Sequence, residues 1–194
     1  MKWLTIILLS FLNILTLNAQ GLYPSITDIE TSIDQRVINA KSHSSLVQIN
    51  ESNAEIALKI DISSIVTGND TLDTLLKNPP NSFILLRGNF PVKNLSFVDN
   101  ANEEQREFTG KARLTINGIT TEKVYTCVLY NLNGNTGFTQ NDLSYPININ
   151  LYFEFEPEEF GLQKLYTPLT NGVKVQVSKG IINKLSANSP SLFK

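Results

Sequence analysis

Hydrophobic and polar residues alternate along most of the chain. In 54–62, Ile56, Leu58, Ile60 and Ile62 share one parity, while Lys59 and Asp61 take the other. In 112–116, Ala112, Leu114 and Ile116 oppose Arg113 and Thr115. In 147–155, Ile147, Ile149, Leu151, Phe153 and Phe155 share a face, against Asn148, Asn150, Tyr152 and Glu154. Val173, Val175 and Val177 then oppose Lys174 and Gln176. A period of two with one polar face predicts antiparallel strands covering a single core.

Turn residues punctuate these runs. Asn117-Gly118 predicts a tight hairpin turn, and Asn133-Gly134-Asn135 with Gly137 a flexible loop. Asn171-Gly172 and Pro79-Pro80-Asn81 are further breaks, and 99–106 reads as a polar hairpin loop. One short helix is predicted near 70–77, capped by Asn69 or Asp70, with apolar Leu72, Leu75 and Leu76, and stopped by Pro79 and Pro80. Residues 20–44 read poorly as strands, and 184–194 read as a polar, frayed tail. Seven or eight strands without βαβ alternation predict an all-β sandwich or barrel, the two ways of removing exposed edges.

The first residues follow a different pattern. Lys2 precedes a largely apolar stretch from Leu4 to Leu17, and Ala19 provides a small residue before a cut. The stretch is short of the roughly 20 apolar residues that a membrane span needs. We expect 1–19 to be a secretory signal peptide cleaved near Ala19, with 20–183 a single domain. Periplasmic or secreted localisation in a bacterium follows as an expectation, with no transmembrane segment in the mature chain.

Composition narrows the function classes. The chain has 194 residues and a formal net charge of −2, from 16 Lys and Arg against 18 Asp and Glu. That balance argues against a nucleic-acid partner. One Cys and one His exclude a disulfide framework and a zinc site built from Cys and His. His43 sits in a polar stretch with no Gly-x-Ser-x-Gly elbow in the chain, and reads as a surface histidine. Cys127 lies in a strand-like run and reads as a half-buried, unpaired thiol. Glu154, Glu156, Glu158 and Glu159 suggest a glycosidase pair or a calcium site, but their placement on a strand's polar face and a turn fits a solvated edge better. Thr67-Gly68-Asn69-Asp70 lacks phosphate-loop spacing and reads as a turn with a helix cap. No catalytic residue, metal site or cofactor is expected.

Three segments carry a resemblance. They are Ser63-Ser64-Ile65-Val66-Thr67-Gly68-Asn69-Asp70 followed by Asp73 and Leu76; Phe108 to Thr120 with its Leu114-Thr115-Ile116-Asn117-Gly118-Ile119-Thr120 hairpin; and Glu159-Phe160-Gly161 followed by Val173 to Val177. In order and spacing they resemble the YceI-like family over roughly 45–182. The resemblance implies an eight-stranded antiparallel barrel of lipocalin-like shape, exported, without catalysis, that holds a polyisoprenoid or isoprenoid quinone inside. The chain departs from the family pattern in 20–44, which must supply two strands, and after the helix, where Phe83 to Arg87 and Phe90-Pro91 to Phe97 replace a Pro-x-x-x-Phe segment.

An apolar lumen suits such a ligand, because burial releases about 0.8 kcal/mol per CH₂ without specific polar contacts. Ile56, Leu58, Ile60, Leu114, Ile116, Leu151, Phe153, Phe155, Val173 and Val175 are expected to line the cavity or form the core. Alternation alone fits both a hollow barrel and a filled one. The alternative function is an exported structural or interaction module with a filled β-core and its activity on the loops.

Overall fold

The segment that read poorly as strands forms a hairpin. In the computed structural model, β1 (Ser25–Ile33) and β2 (Arg36–Asn50) pair antiparallel. The structure describes residues 24–33, 36–50, 53–77, 83–89, 105–130, 148–162, 172–184 and 191–192. The expected signal peptide, most of the 99–106 loop and the Asn133–Gly137 loop lie outside the described residues. Hydrophobic alternation missed the hairpin because its inward residues are partly polar: Ser25 and Thr27 on β1, Ser42 and Ser45 on β2, all buried. A bulge at His43 and Ser44 also shifts the parity, since Ser25 faces Ser45 while Thr27 faces Ser42.

Three of these hydroxyls, those of Thr27, Ser42 and Ser45, join that of Ser64 in one hydrogen-bonded run. Ser64 Oγ donates to the Asp61 carbonyl (2.6 Å), so the Ser42–Ser64 contact (2.7 Å) must run from Ser42 to Ser64. Ser45 then donates to Ser42 (3.4 Å) and Thr27 to Ser45 (2.6 Å). The result is a one-way chain of donors ending on a backbone carbonyl, which is how three hydroxyls can be buried beside half-buried Ser64 at little cost.

The remaining elements are β3 (Glu55–Asp61), a 3-10 turn (Ile62–Ser64), β4 (Ile65–Val66), α1 (Asp70–Lys77), β5 (Phe83–Asn89), β6 (Gln105–Ile116), β7 (Ile119–Tyr130), β8 (Asn148–Phe155), a second 3-10 turn (Pro157–Phe160) and β9 (Val173–Lys184). Around the barrel the order is β1-β9-β8-β7-β6-β5-β3-β2, and β1–β2 pairing closes it. Eight strands make the wall and the two-residue β4 adds to β2. Neighbours are antiparallel except for a short parallel contact of β2 with β9, where Val47 faces Ile182. The barrel and single helix are those expected. Asn117 (φ 54°) and Gly118 (φ 74°) are both left-handed, as a two-residue type I′ hairpin turn requires.

Tyr125 sets the packing of the barrel half away from α1. Its ring points inward and is buried, and its hydroxyl donates to the Asn89 carbonyl. A Cβ at Gly110 would lie 2.7 Å from that ring, and one at Gly88 2.9 Å. The two glycines therefore make the space that Tyr125 fills. Phe108 meets the ring edge-on, with centroids 5.9 Å apart.

The outer wall has one covered spot. Gln48, Ala57 and Arg87 lie side by side across β2, β3 and β5. Leu192 N–H donates to Gln48 Oε1 and Arg87 Nε donates to the Leu192 carbonyl, each at 2.8 Å. Leu192, in the stretch expected as a frayed tail, is thus held against the wall, and Lys184 still belongs to β9.

At the other end, α1 is anchored by its start. Asn69 Oδ1 caps it by accepting from Leu72 N–H (3.1 Å). The Thr67 N–H and hydroxyl both donate to Asp73 Oδ1 at 2.7 Å. No residue of α1 is fully buried; Leu76 packs against the core and Leu75 faces out.

Gly110→Ala should destabilise the protein by about 1–3 kcal/mol in denaturant melts, the usual range for overpacking, despite the better strand propensity of Ala. The Thr67 bonds hold the Asp73 carboxyl below its ordinary 3.8. A depressed carboxylate stabilises the fold above its unfolded-state value, and loses that contribution as pH falls through the folded value. Side-chain NMR titration should therefore place Asp73 below 3.8, with Thr67 amide protection lost over the same acid range. A midpoint at or above 3.8 would mean the clasp is not formed.

Candidate functional site

Inward side chains fill the barrel unevenly. In the middle and at the end away from α1, Leu58, Leu86, Leu114, Leu129, Leu151, Val175 and Val177 have no exposed surface. Phe153 stacks near Phe155, which meets Phe160 edge-on at 5.4 Å. The end carrying α1 and the Asn117-Gly118 turn is different. There a pocket of about 100 Å³ lies inside the wall.

Its lining comes from most of the barrel. β1 and β2 supply Ile29, Thr31, Ile38 and Ala40; the segment after β3 supplies Ile62, Ile65 and Thr67; α1 supplies Leu72 and Leu76. Ile84, Ile116, Phe155, Leu162 and Val173 complete it. The helix reaches the pocket because Leu72 and Leu76 are four residues apart and share a face. Thr67 is occupied by its clasp to Asp73. Thr31 Oγ1 is buried without a hydrogen-bond partner, one of two such side-chain oxygens among the described residues.

An apolar cavity near 150 Å³ holds a benzene-sized guest, and pockets for larger ligands run to about 300–1,000 Å³. In this conformation the pocket has room for a small branched hydrocarbon group, not for a whole lipid.

The ten residues singled out from sequence are all buried in one core cluster. Ile116, Phe155 and Val173 line the pocket. Ile56, Leu58, Ile60, Leu114, Leu151, Phe153 and Val175 pack elsewhere in the barrel interior. Sequence reasoning did not single out Ile29, Thr31, Ile38, Ala40, Ile84 or Leu162. Strand alternation could have flagged Ile84 had the 83–89 run been read by parity; Ile29 and Ile38 are masked by polar neighbours.

None of the other candidate side chains, those of His43, Cys127 and the four glutamates, lines the pocket. His43 is exposed on the β2 bulge. Cys127 is fully buried rather than half-buried, because its parity points into the barrel, and burial pushes its thiol pKa up, away from thiolate formation. Glu156 and Glu159 form a capping box for the second 3-10 turn, and Glu159 pairs with Lys123, whose ammonium holds that carboxyl below its usual range. Among the described residues, no group of three His, Cys, Asp or Glu is placed to hold a metal ion.

No protein-family model matches the chain, and no curated protein matches it in sequence. Solved structures do match in shape. A polyisoprenoid binding domain from Saccharophagus degradans, implicated in plant cell wall breakdown, superposes with a TM-score of 0.60 at 13% identity, over 80% of this chain and 95% of that one. BcnA from Burkholderia cenocepacia superposes with a TM-score of 0.50 at 12% identity, over 79% and 92%. The chain therefore shares its closed antiparallel barrel with a polyisoprenoid binding domain, the fold that the resemblance to the YceI-like family implied.

Proposed function

We propose that this protein is an exported, non-catalytic YceI-like protein that binds an apolar, isoprenoid-type lipid in its barrel. The observation that carries this is the largely apolar pocket under α1, in a barrel shared with a polyisoprenoid binding domain. The polyisoprenoid and the isoprenoid quinone remain the two candidate ligands. The pocket fits one branched terminal unit of such a chain. Admitting a longer stretch requires α1 to swing away, which its lack of fully buried residues makes inexpensive.

Export is supported by the 1–19 pattern of one basic residue, an apolar run and a small residue. The filled-core alternative draws on the tight packing beneath the pocket, where seven of the ten expected lining residues sit. The two are separable because the pocket and the packed core are built from different side chains.

Organic extraction and mass spectrometry of the native, exported protein should yield a co-purifying prenyl lipid. Ala40→Leu puts methyl groups into the pocket, so uptake of a fluorescent prenyl probe should fall about tenfold or more while Tm moves by no more than about 2 °C. Leu114→Ala should instead lower stability by about 2–5 kcal/mol and leave affinity nearly unchanged. An empty extract, with probe uptake insensitive to Ala40→Leu, would favour the filled core.

A further inference from the structure

Strands of a barrel alternate between core and solvent, so buried residues should come at every second position. Two stretches break that rule. Val47, Gln48 and Ile49 on β2 are all buried, and so are Ile56, Ala57 and Leu58 on β3. Among the described residues, no other strand has three buried residues in a row. Val47, Ile49, Ile56 and Leu58 belong to the core inside the barrel. Gln48 and Ala57 are paired across β2 and β3 with the opposite parity, so they face out and are covered from outside.

Leu192 lies over this spot. Its N–H donates to Gln48 Oε1 and its carbonyl accepts from Arg87 Nε. The donor and the acceptor of one residue are thus both held, by side chains on β2 and β5 with Ala57 of β3 between them. Both bonds matter: a buried amide oxygen is costly to leave unmet, and a guanidinium donor makes the stronger kind of hydrogen bond. The cover ends at β5, because Arg113, the partner of Arg87 on β6, is exposed.

The same glutamine sits in the shortest ladder of the eight-stranded wall. Its backbone is the middle of the parallel contact between β2 and β9, where Val47, Gln48 and Ile49 face Ile182, Asn183 and Lys184. Parallel pairing is slightly less stable per residue than antiparallel pairing. The chain leaves this seam at Lys184, the end of β9, and returns to it at Leu192. Leu192 is covalently continuous with β9 and hydrogen-bonded to β2, so the end of β9 stays close to β2 for as long as Leu192 is seated.

We propose that the segment around Leu192 is a latch that holds the β2–β9 seam closed from outside, and that Gln48 and Arg87 hold it by its backbone. With the latch released, 47–49 and 182–184 separate in a local opening that bares one edge of each strand. The latch tolerates a change of side chain at 192 but not the loss of the N–H.

Amide exchange of the mature protein followed by NMR tests this. Leu192→Pro removes the N–H donor without touching the barrel core. Exchange in 47–49 and 182–184 should quicken about tenfold or more, while the β6–β7 hairpin keeps its wild-type rates. Arg87→Met removes the other bond and should act in the same direction. Leu192→Ala keeps both backbone groups and should exchange like the wild type. Seam exchange unchanged by Leu192→Pro, or a rise shared equally by the β6–β7 hairpin, would overturn the latch. A rise in Leu192→Ala as large as in Leu192→Pro would overturn its backbone recognition. Gln48, Arg87 and Leu192 do not line the α1 pocket, so the outcome is independent of what that pocket holds.

Discussion

Closure between β2 and β9 is the constraint on which the rest of this molecule depends. The hairpin partner β1 bridges them, pairing with β2 from Ser25 to Ile33 and with β9 from Ile26 to Glu30. Where β1 has not yet begun, β2 meets β9 directly and in parallel. Without β1 the sheet would present two open edges, and apolar residues of its inner face would meet water. With it, every second residue of eight strands is committed to a lumen of fixed girth, and the question becomes what fills that lumen.

Two answers coexist along one axis. Away from α1, the lumen is taken up by Tyr125, seated where Gly88 and Gly110 have no side chain. Beneath α1, short residues such as Ala40 and the shape of the helix cap leave a gap lined by Ile, Leu, Phe and Val. Between them runs the hydroxyl chain from Thr27 to Ser64, buried yet internally satisfied. Such a chain orders the β1–β2 hairpin without putting a polar group on the pocket wall, whose only unpartnered oxygen is on Thr31. The pocket beneath α1 is thus an apolar receptacle roofed by Leu72 and Leu76. Cys127 is buried in the core, His43 is exposed on the β2 bulge, and Glu156 and Glu159 cap the second 3-10 turn.

Much of the barrel was legible because strands half-buried on one face must alternate. β3, β8, β9 and the second half of β6 follow that rule, and Asn117-Gly118 has the two left-handed residues its turn demands. The helix was legible from its cap and from the prolines behind it. The β1–β2 hairpin was not, because its inward positions are serine and threonine and its parity slips at His43. Nor could alternation separate pocket from packing: Phe155 and Phe153 share a parity two residues apart, yet one lines the gap and the other does not. That difference is set by neighbours distant in sequence, namely α1, Leu162 and the bulk of Tyr125.

The central claim is that ligand binds in the α1 end of a barrel otherwise filled by its own side chains. Methyl NMR of the isoleucines during titration with a short prenyl alcohol tests it most directly, because isoleucines occupy both regions. Ile29, Ile38, Ile62, Ile65, Ile84 and Ile116 line the pocket, whereas Ile49 and Ile56 are buried elsewhere in the core. The account predicts saturable shifts in the first group and near silence in the second. Shifts centred on Ile49 and Ile56, or no saturable shift at any isoleucine, would contradict it.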